Sequence, residues 1–197
     1  MPPKKTCTRE EVVTAAFALV RAHGLAALSA RNVARRLKTS TSPIYGHFRK
    51  MSMLRDQIVL RAMDLLRSYQ TRKRTGEPFF DMGLGYIEFA RSEERLFFEL
   101  FSKADRSAAP REHQFGSDLL PVMKTDPVLR GFSEDQLRNV LLKMWIFVHG
   151  IASLVHEGDL AGLSEKEIST MLHQVGKAVV DNIAKTKTRR QTCGLRF

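Results

Sequence analysis

Apolar residues recur along this chain at every third or fourth position, the spacing of one helix face, and the strict alternation of strands is nearly absent. Val13, Ala16, Phe17 and Val20 form the first stripe. It lies between Thr8, suited to cap a helix N-terminus, and Gly24, suited to end a helix. Glu10 and Glu11 fall in the first turn, where carboxylates complement the helix dipole. Ser29 caps a second, shorter element whose Val33, Ala34 and Leu37 face inward while Arg31, Arg35, Arg36 and Lys38 face out. Ser40 or Thr41 can cap a third. Pro43 is tolerated in its first turn because the missing N–H has no intrahelical partner there, and Ile44 and Phe48, at i and i+4, plug it onto the first two. Three short helices in succession, the last with a polar tip, are the pattern of a helix-turn-helix unit.

Longer helices follow. Leu54, Ile58, Ala62, Leu65 and Tyr69 share one face of a helix from Met51 to about Lys73, which Thr75-Gly76-Glu77-Pro78 interrupts. Further helices are expected over 79–90, 93–102 and 114–124, with a loop over 103–113. Ser133-x-x-Gln136 and Ser164-x-x-Glu167 read as capping boxes for the last two. Of these, 136–157 is apolar nearly all round, and the final stripe runs Ile168, Met171, Leu172, Val175, Val179, Ile183. The expected architecture is all-α, with about nine helices: a helix-turn-helix domain over 1–50, a second helical domain over 51–187 and a basic tail over 188–197.

Charge divides the chain in a similar way. Residues 1–76 hold 16 Lys/Arg against 4 Asp/Glu, whereas residues 77–184 hold 11 against 17, and the last thirteen hold 5 against none. Such asymmetry points to an anionic partner for the N-terminal part, nucleic acid before membrane, because the cations are spread over several short elements. No apolar run approaches the ~18 residues of a membrane span, the start lacks the apolar stretch of a secretory signal, and Cys7 and Cys193 make no disulfide framework. A cytoplasmic location is expected. No HExxH, Cys/His cluster, GxSxG, phosphate loop or GxGxxG occurs, so neither an enzyme, a metal site nor a cofactor is expected.

The stretch TREEVVTAAFALVRAHGLAALSARNVARRLKTSTSPIYGHFRKMSML resembles the DNA-binding domain of the TetR/AcrR family of bacterial transcriptional regulators. Thr8, the Ala16-Phe17 pair, His23-Gly24, Ala34 and Ile44-Tyr45-x-His47-Phe48 carry the likeness. YIEFARSEERLFFELFS (86–102) and MWIFVHGIASLV (144–155) are similar to a ligand-binding pattern of that family. The chain departs from it at Lys38, where a glycine is usual, at Gly46, where an aromatic or polar residue is common, and at Met51-Ser52.

A helix entering the major groove reads base edges with short side chains at its exposed N-terminal end. Thr39, Ser40, Thr41 and Ser42 are of that kind, and Pro43 offers an apolar face for a thymine methyl. Ser29 and Arg31 are placed to hold the other side, and Lys4 and Lys5 to form an arm. The resemblance implies that Tyr45 and His47 bind phosphates, with Lys50 and the first amides of the fourth helix on the same strand. It also implies a small-molecule inducer held by the second domain. Phe80, Tyr86, Phe89, Phe97, Phe101, Met123, Met144 and Trp145 would line its pocket, with His149 as the polar group; the same set also reads as plain core. The last two helices are the expected homodimer interface, through Val148, Ala152, Val155, Met171, Leu172, Val175, Gly176 and Val179. The expected function is a ligand-released repressor binding a palindromic double-stranded operator. The alternative is a ligand-binding or interaction protein that coats nucleic acid nonspecifically.

Overall fold

The computed structural model describes residues 7–101, 116–160 and 162–193. Among them the chain is all-α, as the periodicity predicts: α1 (Arg9–His23), α2 (Ala30–Leu37), α3 (Ser42–His47), α4 (Met51–Gln70), α5 (Pro78–Ser92), α6 (Glu94–Phe101), α7 (Leu120–Lys124), α8 (Glu134–Glu157) and α9 (Glu165–Cys193), with short 3-10 turns at Leu25–Ala27, Ser117–Leu119 and Pro127–Leu129. Lys4, Lys5 and the loop expected over 103–113 lie outside the described residues. Contacts within the chain gather into two units, residues 1–66 with 93–109 and residues 67–92 with 110–197.

In the first unit α1 packs on α2, α3 and α6, and α2 packs on α3. The capping box at its start is complete, Thr8 accepting from the Glu11 amide and Glu11 from the Thr8 amide. Val12, Val13, Ala15, Ala16 and Val20 are buried, whereas Phe17 is only half-buried, its ring lying under the Arg61 guanidinium. Gly24 ends α1 at φ 77°, where L side chains are strained, and a Cβ there would stand 2.9 Å from Glu99 Oε1. That same carboxylate oxygen accepts the Leu25 amide at 2.7 Å. Ser29 caps α2 through the Asn32 amide, and Lys38 ends it in the left-handed region at φ 54°. On α4 the buried series is Leu54, Ile58, Ala62 and Leu66. Tyr69 is buried as expected, but Leu65 is only half-buried and Leu66, one position round the helix, is buried as well, so the buried face of α4 widens towards its C-terminal end.

In the second unit α5 packs on α7, α8 and α9, and α8 on α9. Ile87, Ile151 and Ile168 form a buried cluster flanked by Phe147, Val155 and Leu163. Both expected capping boxes form, at Ser133 with Gln136 and at Ser164 with Glu167. At Gly85 backbone packs closely on backbone, since a Cβ there would stand 2.2 Å from the Tyr69 carbonyl oxygen. Asp81 is buried yet ionised readily. Burial alone would raise its pKa, but the amides of Arg74 and Thr75, each at 2.9 Å, and the Thr75 hydroxyl at 2.7 Å hold it below the ordinary carboxylate value. Contrary to the reading that no segment approaches a membrane span, α8 is long and apolar enough to cross one by length and composition. Here its stripe of Leu137, Val140, Met144, Val148, Ile151 and Ala152 is buried within the chain.

Candidate nucleic-acid interface

The helix-turn-helix surface is built by α2, the turn at Lys38 and α3. Ile44 and Phe48 are fully buried, so α3 is pinned on one side and its other side faces outward. Thr41 occupies the cap position of α3 but in helical φ/ψ and without a side-chain capping bond, so its exposed hydroxyl is not used by the helix. Ser40, Ser42, Tyr45, His47 and Lys50 are likewise exposed, and Thr39, Pro43 and Ser29 are half-exposed. Tyr45 keeps 51% of its surface open although it is aromatic. A Cβ at Gly46 would meet nothing within 4 Å. The departure from the usual residue type at this position therefore leaves an open notch beside Tyr45 and forces no rearrangement.

Electrostatics favour an anion at this face. Between residues 12 and 55 the chain holds eight Lys/Arg and no Asp or Glu. Arg31, Arg35, Arg36, Lys38, Arg49 and Lys50 are all exposed. The first turns of α2, α3 and α4 carry no carboxylate. By contrast, α1, α5, α6, α8 and α9 each carry at least one, the one-turn α7 carrying none. The positive ends of the three helix dipoles are thus left uncompensated by the chain itself, the arrangement that receives phosphate.

His47 has a partner that the sequence pattern gave no hint of. Its Nε2 lies 2.7 Å from the Cys7 carbonyl oxygen, and next to it the Arg9 guanidinium sits 4.8 Å from the centre of the Phe48 ring. The end of α3 is therefore tied to the residues that open α1. A carbonyl partner has no signature in side-chain identity, which is why His47 read as a phosphate ligand alone.

In the second unit Tyr86 is fully buried, with its hydroxyl 2.9 Å from His149 Nδ1, and the Trp145 ring stacks on the imidazole at 5.5 Å between centroids. Burial pushes the Tyr86 hydroxyl far above its ordinary range and the His149 imidazole below its own. A neutral phenol donating to a neutral imidazole is the arrangement both shifts favour. Phe89, Met123 and Met144 are buried in the same unit, and Phe80 meets His173 edge-on at 4.8 Å. Phe97 and Phe101 belong to the first unit, where their rings lie 5.0 Å apart.

The expected dimer residues need a correction. Val148, Ala152 and Leu172 are buried within the single chain, so these side chains are core, while Gly176 is half-buried and a Cβ there would stand 3.7 Å from the Met144 methyl. Val155, Val175 and Val179 are half-buried, and only Met171 is exposed. The uncovered apolar surface of α8 is instead Leu142, Ile146 and Leu154, which are 55%, 60% and 40% exposed, with Gly150 open between them. Spaced by four, they lie on the side of α8 away from Val140, Met144 and Val148. A helix apolar all round gave no basis for choosing between its two stripes.

Residues 12–58, from the first turn of α1 into α4, match the family model of bacterial regulatory proteins, tetR family. A search among curated proteins found no match.

Proposed function

We propose that this chain, whose helix-turn-helix segment belongs to the tetR family of bacterial regulatory proteins, is a transcriptional repressor that a small molecule releases from a palindromic operator. DNA binding and transcriptional regulation come with the family. The finer reading rests above all on one observation, the exposed hydroxyl tip of α3 set in a stretch of 44 residues that has no carboxylate.

In this reading Thr39, Ser40, Thr41, Ser42 and Pro43 meet base edges in the major groove, where short side chains at a helix N-terminus discriminate. Tyr45, Lys50, Ser29 and Arg31 grip phosphates on either side and set the register without reading sequence. One half-site gives little affinity, so a two-fold dimer presents two α3 helices ~34–36 Å apart. The open stripe of Leu142, Ile146 and Leu154 on α8, with exposed Met171 on α9, supports the last two helices as the pairing surface. The second domain binds the inducer, and the Tyr86–His149 pair among aromatics and methionines supplies the polar contact such a pocket needs. Release is a population shift. The inducer must bind more tightly to a dimer whose reading helices no longer fit the operator spacing.

Selection of duplexes from a random-sequence library by the full-length chain, followed by gel shifts with Tyr45→Phe and Thr41→Ala, tests this. Thr41→Ala is expected to relax selectivity at a defined position and Tyr45→Phe to weaken all sites evenly. Binding that depends on salt but never on sequence would instead favour a protein that merely coats nucleic acid.

A further inference from the structure

Gly46 lies at the middle of the outward side of α3. The buried anchors Ile44 and Phe48 stand two residues before it and two after, so Gly46 is about 160° round the helix from each. Ser42 is one turn earlier on the same side, and both residues are exposed.

Nothing among the described residues calls for glycine at this position. Gly46 is not at positive φ, as Gly24 is, so its backbone would accept any L residue. A Cβ there would meet no described atom within 4 Å, whereas at Gly83 and Gly85 it would stand 2.9 Å from the Leu172 side chain and 2.2 Å from the Tyr69 carbonyl oxygen. At an open helical position glycine is less stable than alanine, because it loses more freedom on folding. The bare backbone of α3 is therefore a loss that no contact inside the chain offsets.

The neighbouring side chains give that bareness a use. Thr39, Ser40, Thr41 and Ser42 carry hydroxyls and nothing longer. A hydroxyl oxygen sits one bond beyond Cβ, and its hydrogen bond spans only ~2.7–3.0 Å. Such side chains reach a base edge only where the helix backbone itself comes close to the groove. A side chain longer than serine at position 46, on the side of Ser42, would project past the hydroxyls and hold α3 away.

From this geometry we propose that Gly46 is a specificity-determining residue for DNA: its missing side chain lets the duplex close on the backbone of α3, near enough for the hydroxyl tip to read base edges. The inference rests on the DNA-binding reading and deepens it. At position 46 the duplex, and not the protein, excludes a side chain.

The experiment compares Gly46→Ala, Gly46→Leu and Gly46→Lys with the unsubstituted full-length chain. Each binds a duplex that the unsubstituted chain selects from a random library, and a scrambled duplex of the same length. Gly46→Leu is expected to weaken the selected duplex about a hundredfold and Gly46→Ala about fivefold, the range of one lost base readout, with scrambled duplex changed less than about twofold. The slope of log affinity against log salt should stay the same for both, because neither alters a charge. Gly46→Lys adds a cation to the face. It should tighten scrambled duplex and steepen the slope by about one, yet still weaken the selected duplex. With Thr41→Ala/Ser42→Ala already in place, Gly46→Leu should cost only about tenfold, since fewer hydroxyls remain to be held away.

Unchanged binding of the selected duplex by Gly46→Leu and Gly46→Ala would overturn the proposal. So would tighter binding of both duplexes by Gly46→Lys, an even loss on both duplexes by Gly46→Leu, or equal losses with and without the hydroxyls. Circular dichroism and thermal melting accompany each variant. Gly46→Ala should raise Tm slightly, so it carries the test even where a larger residue disturbs the helix. A fall in Tm for Gly46→Ala would show that the fold itself needs the glycine, against the proposal. Failure of the unsubstituted chain to select any duplex would strike the DNA-binding reading itself, a result distinct from any of these.

Discussion

Arg21 and Glu93, 72 residues apart in sequence, meet in a two-pronged ion pair, with the Arg21 Nε 2.6 Å from one carboxylate oxygen and the second nitrogen on the other. Glu93 is almost fully buried whereas the Arg21 side chain is half-exposed. Six residues on, Glu99 receives the Leu25 amide. Two carboxylates at and beside α6 therefore close over the end of α1 and the turn that leads into α2.

The asymmetry of that pair makes the arginine the informative partner. Arg21→Ala strands a buried carboxylate, and about 2 kcal/mol should be lost, below the range for fully buried pairs because Arg21 is partly in water. Arg21→Leu with Glu93→Leu should recover most of it, since an apolar pair leaves no charge uncompensated. Urea unfolding of the single and double variants measures both.

Gly85 gives a sharper steric test. A methyl at this position would overlap the Tyr69 carbonyl, and backbone cannot move aside as a side-chain end can. Gly85→Ala should destabilise by about 3 kcal/mol or more in urea unfolding, despite the higher helix propensity of alanine. Gly46→Ala, at an open helical site, should stabilise slightly and provides the matched control.

The Tyr86–His149 pair predicts a pH dependence. Burial holds the folded-state pKa of His149 below its ordinary value of 6.5. Below that pH the unfolded chain binds a proton that the folded chain refuses, so stability falls as pH drops from 6.5 towards the lower folded value and is unaffected above it. His149→Gln should flatten this part of the stability–pH curve. Asp81 has the same slope from a different source and a more acid window. Its folded pKa is lowered from 3.8, so its contribution is complete above that value and is lost as pH falls through the folded one. Asp81→Asn should remove it. Denaturant midpoints at a series of pH values separate the two residues.

The two faces of α8 should respond differently to charge. Ile146→Arg, on the open stripe, is expected to leave the fold intact and to shift sedimentation from dimer to monomer at micromolar concentration. Val148→Asp, on the buried stripe, should unfold the chain by placing an unpaired carboxylate in the core. A folded dimer with Ile146→Arg would remove this stripe from the interface.

Much of the fold was legible because its signals are local. Thr8 caps α1 as expected, and Ser133 with Gln136 and Ser164 with Glu167, three apart in sequence, form the capping boxes their spacing predicts. Ile44 and Phe48 are spaced to plug α3 and are among the most buried side chains. The resemblance in 8–54 likewise overlaps the matched segment, 12–58. What stayed hidden depends on the third dimension. The Cys7 carbonyl at His47 involves a backbone atom, which carries no residue type. Arg21 and Glu93 are one basic and one acidic residue among many. The choice between the Val148 and Ile146 faces of α8 depends on where α5 and α9 pack, and the periodicity of α8 alone is silent on that. Thr41 was also read as a cap, but α3 begins without one, which leaves the hydroxyl free for another partner.

The most direct test of the central claim is selection of a binding site by the full-length chain from random duplex DNA, with affinity then measured as a function of salt. The account predicts a two-fold symmetric site bound at least a thousandfold more tightly than scrambled duplex of the same length, with log affinity falling steeply and linearly with log salt. Equal affinity for selected and scrambled duplexes at every salt concentration would contradict it.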